Sequence, residues 1–270
     1  MKIAFLGGGN MASALIGGLI ARGFEASAMC VIEVDAAARD RLSARYPVQL
    51  RAAPDAATRA CDTLVLAVKP QDMRAALGSL GADVGGMLVI SIAAGLRLET
   101  LSRWTGGHRR IVRCMPNTPA LIGMGISGLY ALPEVSREER ARAEQVLGAV
   151  GEVVWVDAEA LLDPVTAVSG SGPAYVFWFI EQLAASGERL GLEPKTALRL
   201  ALATVRGAAE LAAGAAESPA ALRERVTSKG GTTEAALKVF AEERMGERLA
   251  RAIEAASRRG AALGEALGED

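Results

Sequence analysis

The first twelve residues constrain this chain more than any other stretch. Ile3-Ala4-Phe5-Leu6 is a short apolar run of the kind that forms a buried strand, and it breaks at Gly7-Gly8-Gly9. From Asn10 a helical pattern resumes, with Leu15, Ile16, Leu19 and Ile20 on one side. Strand, glycine turn and helix in immediate succession open a nucleotide-binding βαβ unit. In such a unit Gly7 makes the tight turn, Gly9 lets the backbone approach a pyrophosphate, and the small Ala12 lets helix and strand pack closely. The pyrophosphate lies on free N–H groups at the helix N-terminus, where the dipole favours negative charge. Leu6, Gly7, Gly8, Gly9, Asn10, Met11 and Ala12 are therefore candidate cofactor-binding residues. A merely flexible turn is the bland alternative, and the position directly after a strand weighs against it.

Ile3 to Ala21 carries no charge, so the stretch also resembles a signal peptide or a membrane span. Three glycines beside Asn10 suit neither, and no small-residue cleavage pattern follows, so a soluble protein is expected. Charged residues make up 23% and hydrophobic ones 51% of the 270 residues, which fits a globular chain with ample core. A net charge of −1 leaves no electrostatic footprint for nucleic acid or an anionic membrane. Cys30, Cys61 and Cys114 are odd in number and widely spaced. They read as free thiols of a reducing compartment, the cytoplasm, and not as metal ligands. The single histidine, His108, follows two glycines and reads as a solvated loop residue.

Further strands are expected at Met29–Val34, Asp62–Pro70, Gly86–Ile92, Arg110–Cys114, Ile126–Ala131 and Glu152–Val156. A charged helix at Ser136–Leu147 precedes the last of them. Alternating strands and helices predict a mostly parallel, doubly wound sheet of the Rossmann type. Ligands of such sheets lie beyond the carboxyl ends of the strands. That marks Ala67, Val68, Lys69 and Pro70, then Ala93, Ala94 and Gly95, and then Asn117 in the stiff Met115-Pro116-Asn117-Thr118-Pro119 loop, whose amide suits a nicotinamide or its ribose. Glu33 and Asp35 end the second strand, where a carboxylate favours NAD, while Arg39 and Arg41 follow close enough to reach the 2′-phosphate of NADP. NADH and NADPH both stay open.

Beyond about Leu161 the pattern turns all-helical, giving a division into 1–161, a dinucleotide-binding domain, and 162–270, a helical one. Ala174-Tyr175-Val176-Phe177-Trp178-Phe179-Ile180 is apolar all round, and Lys195 to Ala213 is polar on one narrow stripe only. About 100 residues are few to cover two such helices, so a second copy of the chain is expected to cover them in an obligate dimer. These helices are interrupted by Thr227-Ser228-Lys229-Gly230-Gly231-Thr232-Thr233, a second glycine turn before a helical run. Its backbone amides suit a carboxylate, and the hydroxyls of Ser228, Thr232 and Thr233 suit a polar neighbour. Simple helix capping accounts for the same residues equally well.

Taken in order, Gly7-Gly8-Gly9-Asn10-Met11-Ala12, Ala67-Val68-Lys69-Pro70, Ala93-Ala94-Gly95, Met115–Pro119, Ser169-Gly170-Ser171-Gly172-Pro173-Ala174-Tyr175 and Thr227–Thr233 resemble the pyrroline-5-carboxylate reductases over nearly the whole chain. The resemblance implies reduction of the cyclic imine L-1-pyrroline-5-carboxylate to L-proline, the last step of proline synthesis, with NADPH or NADH. It implies subunits paired through interleaved C-terminal helices, often in larger rings. The substrate carboxylate then belongs on the amides of Gly230, Gly231 and Thr232, and Thr233, the one catalytic assignment, bonds the ring nitrogen. The protonated imine is already electrophilic, so little acid–base machinery is needed. Holding the reacting carbons about 3–3.5 Å apart contributes on the order of 7–11 kcal/mol. Family members often carry Asn-Arg where this chain has Glu33-Val34-Asp35, which bears on the choice of cofactor. Two other readings fit less well: a hydroxy-acid dehydrogenase using Lys229 as acid/base, and a non-enzymatic NADP-binding redox sensor.

Overall fold

In the computed structural model, which describes residues 1–81 and 84–268, the expected strands form, and an edge strand joins them. They are β1 (Ile3–Leu6), β2 (Met29–Ile32), β3 (Gln49–Arg51), β4 (Thr63–Leu66), β5 (Leu88–Ser91), β6 (Ile111–Met115), β7 (Gly125–Ala131) and β8 (Gly151–Trp155). They make one sheet in the order β3-β2-β1-β4-β5-β6-β7-β8. Neighbours run parallel except β6 and β7. That reversal follows from the connection: residues 116–124 are too few for a helical crossover between parallel strands. The added strand β3 is a three-residue edge with one exposed position, too short for its alternation to register.

The strands are buried on both faces because helices cover both. On one side Ile3, Phe5, Val31 and Val65 pack with Leu15, Ile16 and Leu19 of the helix Asn10–Ala21, and with Val146 and Leu147 of the helix Arg137–Leu147. On the other, Ala4, Leu6, Leu64 and Leu66 pack with Met73, Leu77 and Leu80 of the helix Met73–Leu80. Alternate residues of one strand thus serve opposite layers, as the pleat requires. Truncating the fully buried Phe5 to alanine would cost about 3–5 kcal/mol.

Charge is buried as well. Arg113, in the middle of β6, donates to Glu159 Oε1 at 3.0 Å and lies 3.7 Å from Asp163. Asp163 also takes a 2.9 Å bond from Arg97, and Glu159 accepts the Leu98 backbone N–H. A charged residue inside an apolar strand is tolerated because two carboxylates meet it.

The chain divides into two units, Met1–Ser171 with 255 onward, and Gly172–Glu254. The boundary therefore differs from the division at 161 read from the sequence. Leu162 and Asp163 are buried in the first unit, and the end of the helix Met245–Gly268 belongs there too. Leu267 joins its core, and Arg103 donates to the Gly268 carbonyl.

The second unit holds the helices Gly172–Arg189, Pro194–Gly214, Pro219–Arg225 and Thr232–Glu242. Its first two helices pack as a hairpin around small residues: a Cβ on Gly187 would lie 3.2 Å from Ala197 Cβ. Its buried apolar residues are alanines, Ala184, Ala197 and Ala201, whereas Phe177 is 65% and Trp178 54% exposed. Among the described residues no helix is long and apolar enough to cross a membrane.

Candidate active site

The registers Leu6↔Ile32 and Leu6↔Leu66 bring the carboxyl ends of β1, β2 and β4 level, at the point where the strand order reverses about β1. This is where an open parallel sheet offers a crevice. Gly7 turns out of β1 with φ +98, and a Cβ there would lie 2.8 Å from Val68 Cγ1 and 2.9 Å from the Ala67 carbonyl. Only glycine satisfies both the backbone and the space. Gly9 differs, since a Cβ on it would meet nothing within 4 Å. It caps the helix Asn10–Ala21, and no side chain bonds the helix start. Its first-turn amides, from Asn10, Met11 and Ala12, thus have no side-chain acceptor at a positive dipole end, and Gly9 and Asn10 open onto free space. These are the features a dinucleotide pyrophosphate requires, and the loop fits one.

The other expected cofactor residues divide. Lys69, exposed, lies three residues past β4 and caps the short 3₁₀ turn that Pro70 starts. Ala93 is buried behind β5, and Ala94 is exposed. Gly95 is small for another reason: a Cβ on it would lie 3.4 Å from Leu267 and 3.6 Å from Leu263. On the other side, a Cβ on Gly264 would lie 2.9 Å from the Gly95 carbonyl oxygen. The close approach inferred there is that of the C-terminal helix. Asn117 is likewise engaged by the protein. Its Oδ1 accepts the Ile126 N–H at 2.9 Å, and its Nδ2 donates to the Ser169 carbonyl at 3.2 Å. That amide ties the Met115–Pro119 loop to β7 and to the Ser169 carbonyl.

In the second unit Gly230 has φ +73, Gly231 caps the helix Thr232–Glu242, and no side chain completes the cap. Thr232 and Thr233 are therefore first-turn residues and not capping residues. A shallow pocket of about 600 Å³ lies against Thr227, Gly230, Gly231 and Lys238. Two of the three amides expected to receive a carboxylate already have acceptors. The Gly230 N–H donates to Glu234 Oε2 at 2.7 Å, and the Gly231 N–H to the Ser228 carbonyl at 2.9 Å. The Thr232 amide, at the helix start, has no side-chain cap. Ser228 and Lys229 are exposed, and Thr233 is half-buried.

Titratable groups elsewhere add little chemistry. Burial pushes the Cys61 thiol up to about 11 and raises Cys30 and Cys114 as well, so none is a thiolate at neutral pH. His108 is half-buried and not the solvated residue expected. Desolvation, then the nearby Arg110, lowers its pKa, and its Nε2 is buried without a partner. Among the described residues no group of three or more His, Cys, Asp and Glu side chains could hold a metal ion.

The reading from sequence missed a contact at the heart of the first site. Glu33, one residue past β2, accepts the Gly8 N–H on Oε2 at 2.8 Å. A carboxylate 25 residues beyond a glycine turn was the available signal, but its aim depends on the two strand ends being level.

A parallel sheet with a glycine turn at its switch point, joined to a helical unit, defines a dinucleotide-dependent oxidoreductase. Residues 2–95 match the family described as NADP oxidoreductase, coenzyme F420-dependent, and residues 159–263 match pyrroline-5-carboxylate reductase dimerisation. A pyrroline-5-carboxylate reductase of Pseudomonas aeruginosa is 45% identical over 269 residues, covering 99% of this chain and 98% of its own length. One from Synechocystis is 43% identical, covering 98% and 99%. The structure of a Coxiella burnetii pyrroline-5-carboxylate reductase superposes with a TM-score of 0.92 at 38% identity, covering 97% of this chain and 98% of that one. That of the Plasmodium falciparum enzyme, with NADP bound, gives 0.86 at 28% identity, covering 98% of each. This chain belongs to the pyrroline-5-carboxylate reductase family.

Proposed function

We propose that the chain reduces L-1-pyrroline-5-carboxylate to L-proline with NADH or NADPH. The observation that carries this reading is the presence in one chain of two uncapped helix starts. One stands at a sheet switch point, and the other is preceded by a glycine turn and begins with two threonines. Full-length relatives that share more than 40% of their residues and carry that enzyme's name support it.

When bound, the dinucleotide supplies the hydride. Gly7 to Ala12 would hold its pyrophosphate, with Ala67 to Pro70 and Ala93 to Ala94 flanking it at the ends of β4 and β5. The chain's remaining task is to bind and orient a small anionic ring. The Thr232 amide receives the substrate carboxylate, Ser228 and Gly231 shape that pocket, and the Gly230 amide joins once Glu234 lets it go. The Thr233 hydroxyl donates to the ring nitrogen, or accepts from it when the imine is protonated, and so fixes which face of the imine is presented. No histidine or cysteine is required, in keeping with the buried Nε2 of His108 and the raised thiols.

The exposed Phe177 and Trp178 of the second unit support a homodimer through these helices. Larger rings built from such dimers, and a cytoplasmic location for a protein with three free cysteines, complete the reading.

The test is the loss of 340 nm absorbance with pyrroline-5-carboxylate and each cofactor. Thr233→Val keeps the shape and removes the hydroxyl, so kcat should fall at least about tenfold. An unchanged kcat removes Thr233 from the chemistry, and no turnover with either cofactor removes the function.

A further inference from the structure

The Glu33 carboxylate is held in place from both sides. Oε2 accepts the Gly8 N–H at 2.8 Å, and Oε1 accepts the Asp35 N–H at 2.9 Å. Gly8 is small on this account too, since a Cβ there would sit 3.4 Å from Glu33 Oε2 and 2.5 Å from Leu42 Cδ1. The carboxylate is thus fixed at the carboxyl end of β2, beside the glycine turn at the end of β1. When a dinucleotide lies with its pyrophosphate on that turn, the adenosine ribose is the next group toward β2. Val34, 83% exposed, follows directly and offers an apolar surface suited to an adenine face.

The nearby cations are turned to other tasks. Arg39 Nη1 donates to the backbone carbonyls of Glu33 and Val34, at 2.7 and 3.0 Å. Arg41 is 71% exposed and stands 3.8 Å from Asp35, whose own carboxylate caps the helix Ala36–Ser43 through the Ala37 N–H. The region that would surround a 2′-substituent therefore holds two carboxylates anchored by backbone amides, one arginine bound to carbonyls and a second, exposed, beside Asp35.

We propose that Glu33 is the residue that selects NADH over NADPH, accepting hydrogen bonds from the free ribose hydroxyls and repelling a 2′-phosphate. A fixed acceptor suits a vicinal diol. The same fixed charge opposes a dianion it cannot turn away from. The inference rests on the dinucleotide site proposed above and adds the identity of the dinucleotide it takes.

Isothermal titration of the full-length protein with NADH and with NADPH tests it without turnover. The expected result is NADH binding tighter by at least about tenfold. Glu33→Gln keeps an acceptor for one backbone amide and removes the charge, so it should narrow that ratio at least about fivefold, mainly by tightening NADPH. Displacement of NADH from the unaltered protein by 5′-ADP, but poorly by 2′,5′-ADP, gives the same answer with no substitution. Equal or tighter NADPH binding, better competition by 2′,5′-ADP, or an unchanged ratio in a folded Glu33→Gln protein would each overturn the assignment. Binding of neither dinucleotide would overturn the site itself, an outcome distinct from a preference for NADPH.

Discussion

A Cβ added at Gly7 would lie 2.8 Å from Val68, whereas one added at Gly230 would meet nothing within 4 Å. Both glycines have positive φ, both stand just before a helix start, and neither helix start is capped by a side chain. They differ in what holds them. The first turn is wedged against the end of β4, on a sheet whose core includes Phe5, Leu64, Val65 and Leu66, all fully buried. The second is held by its own neighbours, through Glu234 and the Ser228 carbonyl, in a unit whose buried apolar residues are alanines. The first turn is preorganised by packing against its own sheet, and the second only by hydrogen bonds among its own residues. That division suits a two-substrate enzyme, because a preformed cofactor site loses little entropy on binding.

The largest expected effect probes the self-sufficient half. Arg113→Leu removes the ion-pair partner of the half-buried Glu159 and one of the two arginines at the buried Asp163, leaving Arg97 and the Leu98 N–H in place, and should lower stability by about 3 kcal/mol. Read as a denaturant midpoint, that loss should not depend on protein concentration. A midpoint that did would erase the contrast between the units. Next comes the dependent half. Phe177→Asp places a charge among exposed aromatics and should weaken self-association by at least about 30-fold in sedimentation, with NADH affinity retained. A protein that is monomeric at nanomolar concentration before any substitution would defeat the dimer outright. The smallest effect sharpens the pairing of the two glycines. Alanine at a left-handed position costs about 1–2 kcal/mol, so Gly230→Ala should raise the KM for the imine roughly fivefold and leave the fold intact. Gly7→Ala adds a collision to the same strain and should lose dinucleotide binding by a much larger factor. Equal losses at the two positions would mean that the second turn is as firmly packed as the first.

Much of this was legible beforehand for local reasons. Ile3–Leu6, Thr63–Leu66 and Leu88–Ser91 are apolar on both faces, and a fully covered parallel strand is the arrangement that uses such a run. Gly7 announced its turn because a chain that must bend sharply out of a buried strand, through left-handed backbone, calls for a residue without a Cβ. Asn117 and Gly95 are ambiguous for the opposite reason. A small or amide residue at a strand's end is compatible with a ligand and equally with a neighbouring segment, and only the path of residues 263–267 and the place of Ile126 separate the two.

Composition, periodicity and glycine spacing by themselves determined the doubly wound sheet, the nucleotide turn and the unpartnered helices, because each depends on contacts within a few residues or on a repeating face. The tertiary structure alone decided which groups already have partners: Glu33 on Gly8, Glu234 on Gly230, Arg113 between Glu159 and Asp163, and the C-terminal helix against Gly95. A hydrogen bond or ion pair joins atoms by their positions in space, and a carboxylate has no preferred partner until the chain has brought one within about 3 Å of it.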